Sequence, residues 1–280
     1  MTEFFDALRQ VPLLRYALFA GIFSSLAFGV VGSFVVTRRI GYIAAAIAHS
    51  ILGGIGIAIF LSRTFEIPWI TPMGGAFVAA VVSALIIGLV SLRAKEREDT
   101  IIGAIWAFGM AVGLIFIHFS PGPGVAMESF IFGNILLTSA NDVITTALLS
   151  GVVLVVTAFS YHKLVAVCFD EEFARLRGIR SELYYLLLLV LLAVSIVLLV
   201  RLTGIILSIA LIVLPAATGA RLSMRLWVIM ILATLLCLSY TVTGLAASFV
   251  LEMPTGPVIV VIAAAVYALV LGWQKLRPQS

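Results

Sequence analysis

Nine stretches of this chain are each long and apolar enough to cross a lipid bilayer, and that repetition constrains the fold most. They fall at residues 16–36, 42–61, 70–92, 101–119, 143–160, 183–200, 205–220, 226–250 and 257–273. About 20 mostly apolar residues carry a helix across a hydrocarbon core about 30 Å thick. Lipid offers the backbone no hydrogen-bond partner, so each stretch must satisfy its own amides as a helix. Composition agrees: 63% of residues are hydrophobic, 11% are charged, and the mean hydropathy is +1.24. A soluble domain carries about 25% charged residues. The expected fold is all-α, a polytopic membrane helical bundle of eight or nine transmembrane segments. Residues 1–280 form a single transmembrane domain.

The choice between eight and nine rests on the seventh stretch. Only residues 201–204 separate it from the sixth, and it holds Pro215 within the run LPAATG at 214–219. A broken or re-entrant helix there would leave eight full spans and one partial one. Irregular backbone at membrane depth needs cover from protein or water, which places this stretch inside the bundle. The first stretch lacks a small-residue cleavage pattern and is read as a retained helix rather than a removed signal.

Charge sets the orientation. Of 17 lysines and arginines, all but Arg9, Arg15, Arg63 and Arg201 fall in one alternate set of loops. The basic set is cytoplasmic. Nine crossings then put the N-terminus outside and the C-terminus inside. The net charge of +4 is therefore a topology signal; no nucleic-acid partner is expected, and the surrounding partner is membrane lipid. Cys168, in a polar loop, and Cys237, in an apolar run, lack ligand-like spacing, so neither a disulfide framework nor a zinc cluster is expected.

One cytoplasmic loop stands out, at 161–182. Asp170, Glu171 and Glu172 lead into Phe173, Ala174, Arg175, Leu176, Arg177 and Gly178. Acids in a first turn, arginines in a last turn and a glycine stop describe a short helix. It reads either as a solvated surface helix or as a docking element for a groove on a cytoplasmic partner. No Gly-rich phosphate loop and no HExxH pair is present, so neither ATP hydrolysis nor metalloprotease chemistry is expected of this chain.

Ionisable residues inside a span are costly and mark function by default. His118 lies near an outer helix end and His162 in the cytoplasmic loop; His49 is mid-span. Its neighbours on one helical face are Ala45, Ala46, Leu52, Gly53 and Gly56. Small residues mark surfaces where helices approach closely, so His49 faces protein: as an interior hydrogen-bonded group or as a pathway residue, with Ser50 beside it. Asp99 stands where it can cap the fourth segment. Glu128 and Asp142 flank a short outer stretch, 129–137, and Glu252 marks an outer turn. Gly109 and Gly113 form a GxxxG packing pattern. Mid-span carboxylates, which proton- or sodium-coupled carriers use, are essentially absent.

Several stretches carry a resemblance in order along nearly the whole chain. They are VGSFVV at 31–36 with Arg38 and Arg39, running into Ala48, His49 and Ser50; DTIIG at 99–103; FGNIL at 132–136; and Gly204 through LPAAT at 214–218, then PTGP at 254–257. With the acidic-Ala-Gly segment at 170–178, the chain resembles the ABC-3 permease subunits of zinc, manganese and iron ATP-binding-cassette importers. The resemblance implies a bacterial inner-membrane homodimer served by cytoplasmic ABC ATPases and an extracytoplasmic metal-binding protein. It implies ATP on the partner subunit, no cofactor on this chain, and a divalent metal as transported substrate. It assigns ATPase coupling to Asp170, Glu171, Glu172, Phe173, Ala174 and Gly178, and a metal pathway to His49 and Ser50. Family members place an acidic residue four positions before that histidine; here the position is Ala45. That departure leaves a second cargo open, a chelated metal or another small solute.

Overall fold

The computed structural model describes residues 10–93, 98–123, 130 and 138–276. Glu128, the FGNIL motif and all of the outer stretch 129–137 except Phe130 lie outside the described residues. The helices are α1 (Pro12–Thr37), α2 (Gly41–Thr64), α3 (Pro72–Arg93), α4 (Glu98–Phe119), α5 (Ala140–Phe169), the short α6 (Glu171–Leu176), α7 (Ser181–Leu222), α8 (Leu226–Leu251) and α9 (Thr255–Leu276). There is no strand among the described residues.

α7 resolves the question of eight or nine spans. A straight helix of its 42 residues would run about 63 Å at 1.5 Å per residue, twice the hydrocarbon thickness. Gly204 breaks it, at φ 76° and ψ 174°, a backbone state essentially reserved for glycine. Both ends of α7 lie at the basic end of the bundle. Near its start, Tyr185 Oη meets Ser91 Oγ at 3.3 Å, close to the end of α3. Near its finish, the Arg221 carbonyl accepts from Gln274, close to the end of α9. The middle of α7 lies at the opposite end, where Val197 and Leu198 share a cavity with Phe77 and Asp142. The chain therefore turns back at Gly204, giving two span-length arms, Ser181–Leu198 and Gly204–Leu222. Among the described residues nine segments are long and apolar enough to cross a membrane. The second arm continues past Pro215 to Leu222, so the seventh stretch is not broken at its proline and the break lies before it, at Gly204.

The fifth segment also differs from expectation. α5 continues to Phe169, well past residue 160. Leu164 and Val167, one turn apart, are buried and hold this extension against the bundle. His162, Lys163 and Cys168 are therefore helical, and the expected loop shrinks to the segment around α6. At its other end α5 begins with a capping box. Asp142 Oδ2 accepts from the Ser139 amide at 2.9 Å, and Ser139 Oγ accepts from the Asp142 amide at 3.3 Å.

α2 is the innermost element, and glycine puts it there. Its Gly53 and Gly56 meet Gly109 and Gly113 of α4 backbone to backbone. A Cβ on Gly53 would stand 2.9 Å from the Gly109 carbonyl oxygen. On another side Gly54 faces Gly75 of α3 in the same way. The GxxxG pattern of the fourth segment is thus a packing motif, and its partner is the glycine run of the second. Large apolar side chains on α4, α5 and α9, among them Phe108, Phe159 and Val261, point outward, as a lipid-facing surface requires.

Gly54→Val should overpack this seam and cost about 1–3 kcal/mol. Gly272→Ala, where an added Cβ meets nothing within 4 Å, should be neutral. Thermal melting of the detergent-solubilised protein separates the two.

Candidate functional site

α2 holds His49 with its ring folded back along the helix, Nδ1 at 2.8 Å from the Ala45 carbonyl. A carbonyl only accepts, so Nδ1 donates the proton in this bond, and the tautomer that does so has its lone pair at Nε2. The ring lies against Trp106 of α4, with centroids 4.3 Å apart and planes tilted by 30°. Trp106 Nε1 in turn donates to Met110 Sδ at 3.2 Å. His49 is half-buried and faces protein, as its small neighbours indicated. Trp106 was not foreseen, because the sequence does not say which helix covers which.

Ser50 is buried, and its hydroxyl donates to the Ile47 carbonyl at 2.7 Å. It lines a cavity of about 810 Å³ between α2, α3 and α4, which Gly54, Gly75, Thr71 and Ser83 also line, together with Trp69. His49 turns to Trp106 while Ser50 turns to the cavity. No three of His, Cys, Asp and Glu gather into a metal-holding group among the described residues. Asp99 lies in the first turn of α4, where its Oδ1 accepts from the Thr100 amide at 3.1 Å. Glu252 closes α8 in the left-handed conformation, φ 53°, as the end of an outer turn.

The second cluster lies at the basic end of the bundle, around α6. Asp170 caps this helix, accepting from the Phe173 amide at 2.9 Å. Gly178 ends the turn at φ 76°, its amide bonded to the Arg175 carbonyl at 2.9 Å. Ala174 is buried, whereas Glu172 and Phe173 are exposed and Leu176 projects with 87% of its surface free. Glu171 points inward. Its two oxygens are each 2.7 Å from an arginine, Arg38 at the end of α1 and Arg175 within α6. Burial pushes the Glu171 carboxyl up, but these two ionic hydrogen bonds outweigh it and hold the group below its ordinary value. The structure thus brings the residues at 170–178 into one element with two faces. Asp170, Glu171 and Ala174 brace it, and Glu172, Phe173 and Leu176 present it. Arg38 had been read only as a positive charge in a motif, and its part in this cluster was missed; 133 residues separate it from Glu171.

Nine span-length apolar segments, with a braced short helix at their basic end, define a polytopic membrane protein. The chain belongs to the ABC 3 transport family, whose profile matches residues 10–274. It is 37% identical over 260 residues to a "probable metal transport system membrane protein" of Chlamydia trachomatis, covering 93% of this chain and 88% of that one. It is 32% identical over 269 residues to the manganese transport system membrane protein MntC of Halalkalibacterium halodurans, covering 96% and 90%. Among solved structures, a chain of PsaBC from Streptococcus pneumoniae superposes with a TM-score of 0.82 at 28% identity, covering 96% of this chain and 94% of that chain. The protein is accordingly a multi-pass bacterial membrane protein.

The lowered Glu171 value fixes a pH dependence. A carboxylate with a depressed folded-state pKa contributes its stabilisation above the ordinary glutamate value and loses it as pH falls through the depressed one. A spin label at Glu172→Cys should stay immobile from neutral pH down past the ordinary glutamate range and loosen only below it. With Glu171→Gln added, the label should be loose already at neutral pH.

Proposed function

We propose that this chain is the membrane-spanning permease of a divalent-metal importer, with manganese the favoured cargo and zinc or iron less so. The observation that carries it is the match along nearly the whole chain to metal and manganese transport membrane proteins, in sequence and in fold. Residues 1–280 act as one permease domain. Two copies form the pathway, separate cytoplasmic ATPases hydrolyse ATP, and an extracytoplasmic metal-binding protein delivers the ion. α6 is the docking element for the ATPase: a capped, braced helix presenting Phe173 and Leu176 beside Glu172 suits a groove on a cytoplasmic partner.

His49 supplies the pathway's nitrogen ligand. Its Nε2 lone pair suits a borderline divalent ion, and one neutral ligand holds such an ion only in passing. The apolar cavity beside Ser50, taken with Ala45 where a carboxylate is usual, favours a second reading, a chelated metal whose own ligands travel with it.

The test is ATP-dependent accumulation of radioactive manganese, zinc and iron in proteoliposomes holding permease, ATPase and binding protein. Selective accumulation of one ion is expected. Accumulation of none, with ATP hydrolysis still stimulated by the binding protein, would replace the bare ion by a chelate. His49→Ala should lower uptake about tenfold or more while melting temperature and assembly stay unchanged; wild-type uptake in that variant removes histidine from the pathway. Phe173→Asp with Leu176→Asp should abolish ATPase co-purification without lowering the permease's own melting temperature, since exposed apolar anchors contribute to an interface rather than to the fold.

A further inference from the structure

We propose that Arg38 is the joint through which the position of α6 is passed to α2, the helix that carries His49. The inference rests on the permease reading above and deepens it, naming a positioning residue remote from the cargo.

Arg38 has contacts on three elements at once. Its guanidinium is 2.7 Å from Glu171 of α6, donates to the Val167 carbonyl near the end of α5, and lies 4.4 Å above the Tyr185 ring of α7. Its side chain is only 17% exposed. Glu171 continues the network through Arg175, whose Nε donates to Ser181 Oγ at the start of α7. A displacement of α6 therefore reaches Arg38 through a charge-assisted bond, the strong kind.

From Arg38 to α2 the connection has no slack. Only Arg38, Arg39 and Ile40 separate α1 from α2. They form a closed turn, with the Arg39 amide bonded to Val36 O at 3.1 Å and the Ile40 amide to Val35 O at 3.0 Å. Arg39 takes φ 61°, a left-handed state that is costly for a side-chain-bearing residue and persists where the surroundings impose it.

α2 is packed on its neighbours through glycine: Gly53 and Gly56 lie against the α4 backbone, and Gly54 against Gly75 and Ala79 of α3. Shear between packed helices is one of the standard modes of conformational change. Arg38 thus ties the element that faces the cytoplasmic partner to the helix bearing the pathway histidine.

The bland alternative is that Arg38 only glues the cytoplasmic ends together. Coupling and glue differ in transport per ATP hydrolysed. In proteoliposomes containing the full assembly, manganese uptake per ATP is measured for Arg38→Ala, Glu171→Gln and the double variant, beside ATPase co-purification. Arg38→Ala, which leaves Glu171 its bond to Arg175 within α6, should keep the ATPase bound and hydrolysing yet lose about tenfold in uptake per ATP, within the usual range of coupling energies; Glu171→Gln, which also loosens α6, should lose at least as much. The double variant should be no worse than Glu171→Gln alone, because both break one link. Wild-type uptake per ATP in either single variant overturns the proposal, as does a double loss equal to the product of the two. If Arg38→Ala fails to assemble, Arg38→Gln, which keeps a hydrogen-bond donor but removes the charge, decides by the same criterion. A wild-type assembly that accumulates no divalent ion sinks the importer reading itself, a different result from a working assembly indifferent to Arg38.

Discussion

A bilayer leaves a polypeptide no partner for its amides but itself, and among the described residues the spans meet that demand helix by helix. The reversal inside α7 is confined to one glycine, between two arms that each close their own bonds. Hydroxyls buried in the spans largely fold back on their own helices. Ser24 bonds Ala20 O, Ser33 bonds Gly29 O and Thr241 bonds Cys237 O, each one turn earlier and within 2.9 Å. With hydrogen bonding settled inside each helix, assembly falls to close packing, and the glycine contacts of α2 follow from that. Where two backbones can touch, dispersion is largest and no side-chain entropy is lost.

What was legible in the sequence and what was not divides along the same line. Hydropathy reports the bilayer, so it located all nine spans; it does not report a helix that outruns the bilayer. α5 was cut short for that reason, although Leu164 and Val167 continue its buried face beyond the membrane-length run. Pro215 drew attention as a breaker, yet a proline inside a packed membrane helix loses one hydrogen bond that neighbours can replace. Gly204 carries the actual turn because only its backbone conformation is closed to other residues. α6 was readable to within a residue, since its cap, acids, arginines and glycine are all local signals. The pairing of Arg38 with Glu171 was not, because nothing local predicts which distant helix end a guanidinium will reach.

The same distinction applies at His49. Helical spacing fixed its face and small neighbours fixed that the face meets protein. The covering residue, Trp106, depends on the parallel register of α2 and α4, which the glycine contacts decide. That register also fixes the ring's chemistry. With Trp106 against one side and the Ala45 carbonyl holding Nδ1, the imidazole can present Nε2 and little else.

A permease must bind its cargo firmly enough to admit it and loosely enough to release it. On the pathway role proposed for His49, a carboxylate at position 45 would add a charged oxygen ligand to the imidazole and deepen the well, and Ala45 adds none. Electrostatics at the exit acts in the same direction. On the permease reading, a divalent cation released at the basic end of the bundle would approach Arg38, Arg39 and Arg93, which sit near helix ends. Screening takes effect only over about 8 Å at physiological ionic strength, so unpaired guanidinium groups at that end would oppose release. Glu171 offsets part of that charge by sharing its carboxylate between Arg38 and Arg175. The ion pair that ties α6 to the α1–α2 turn therefore also lowers the positive charge of that end. On the coupling role proposed for Arg38, an uncompensated arginine would transmit motion at the expense of release.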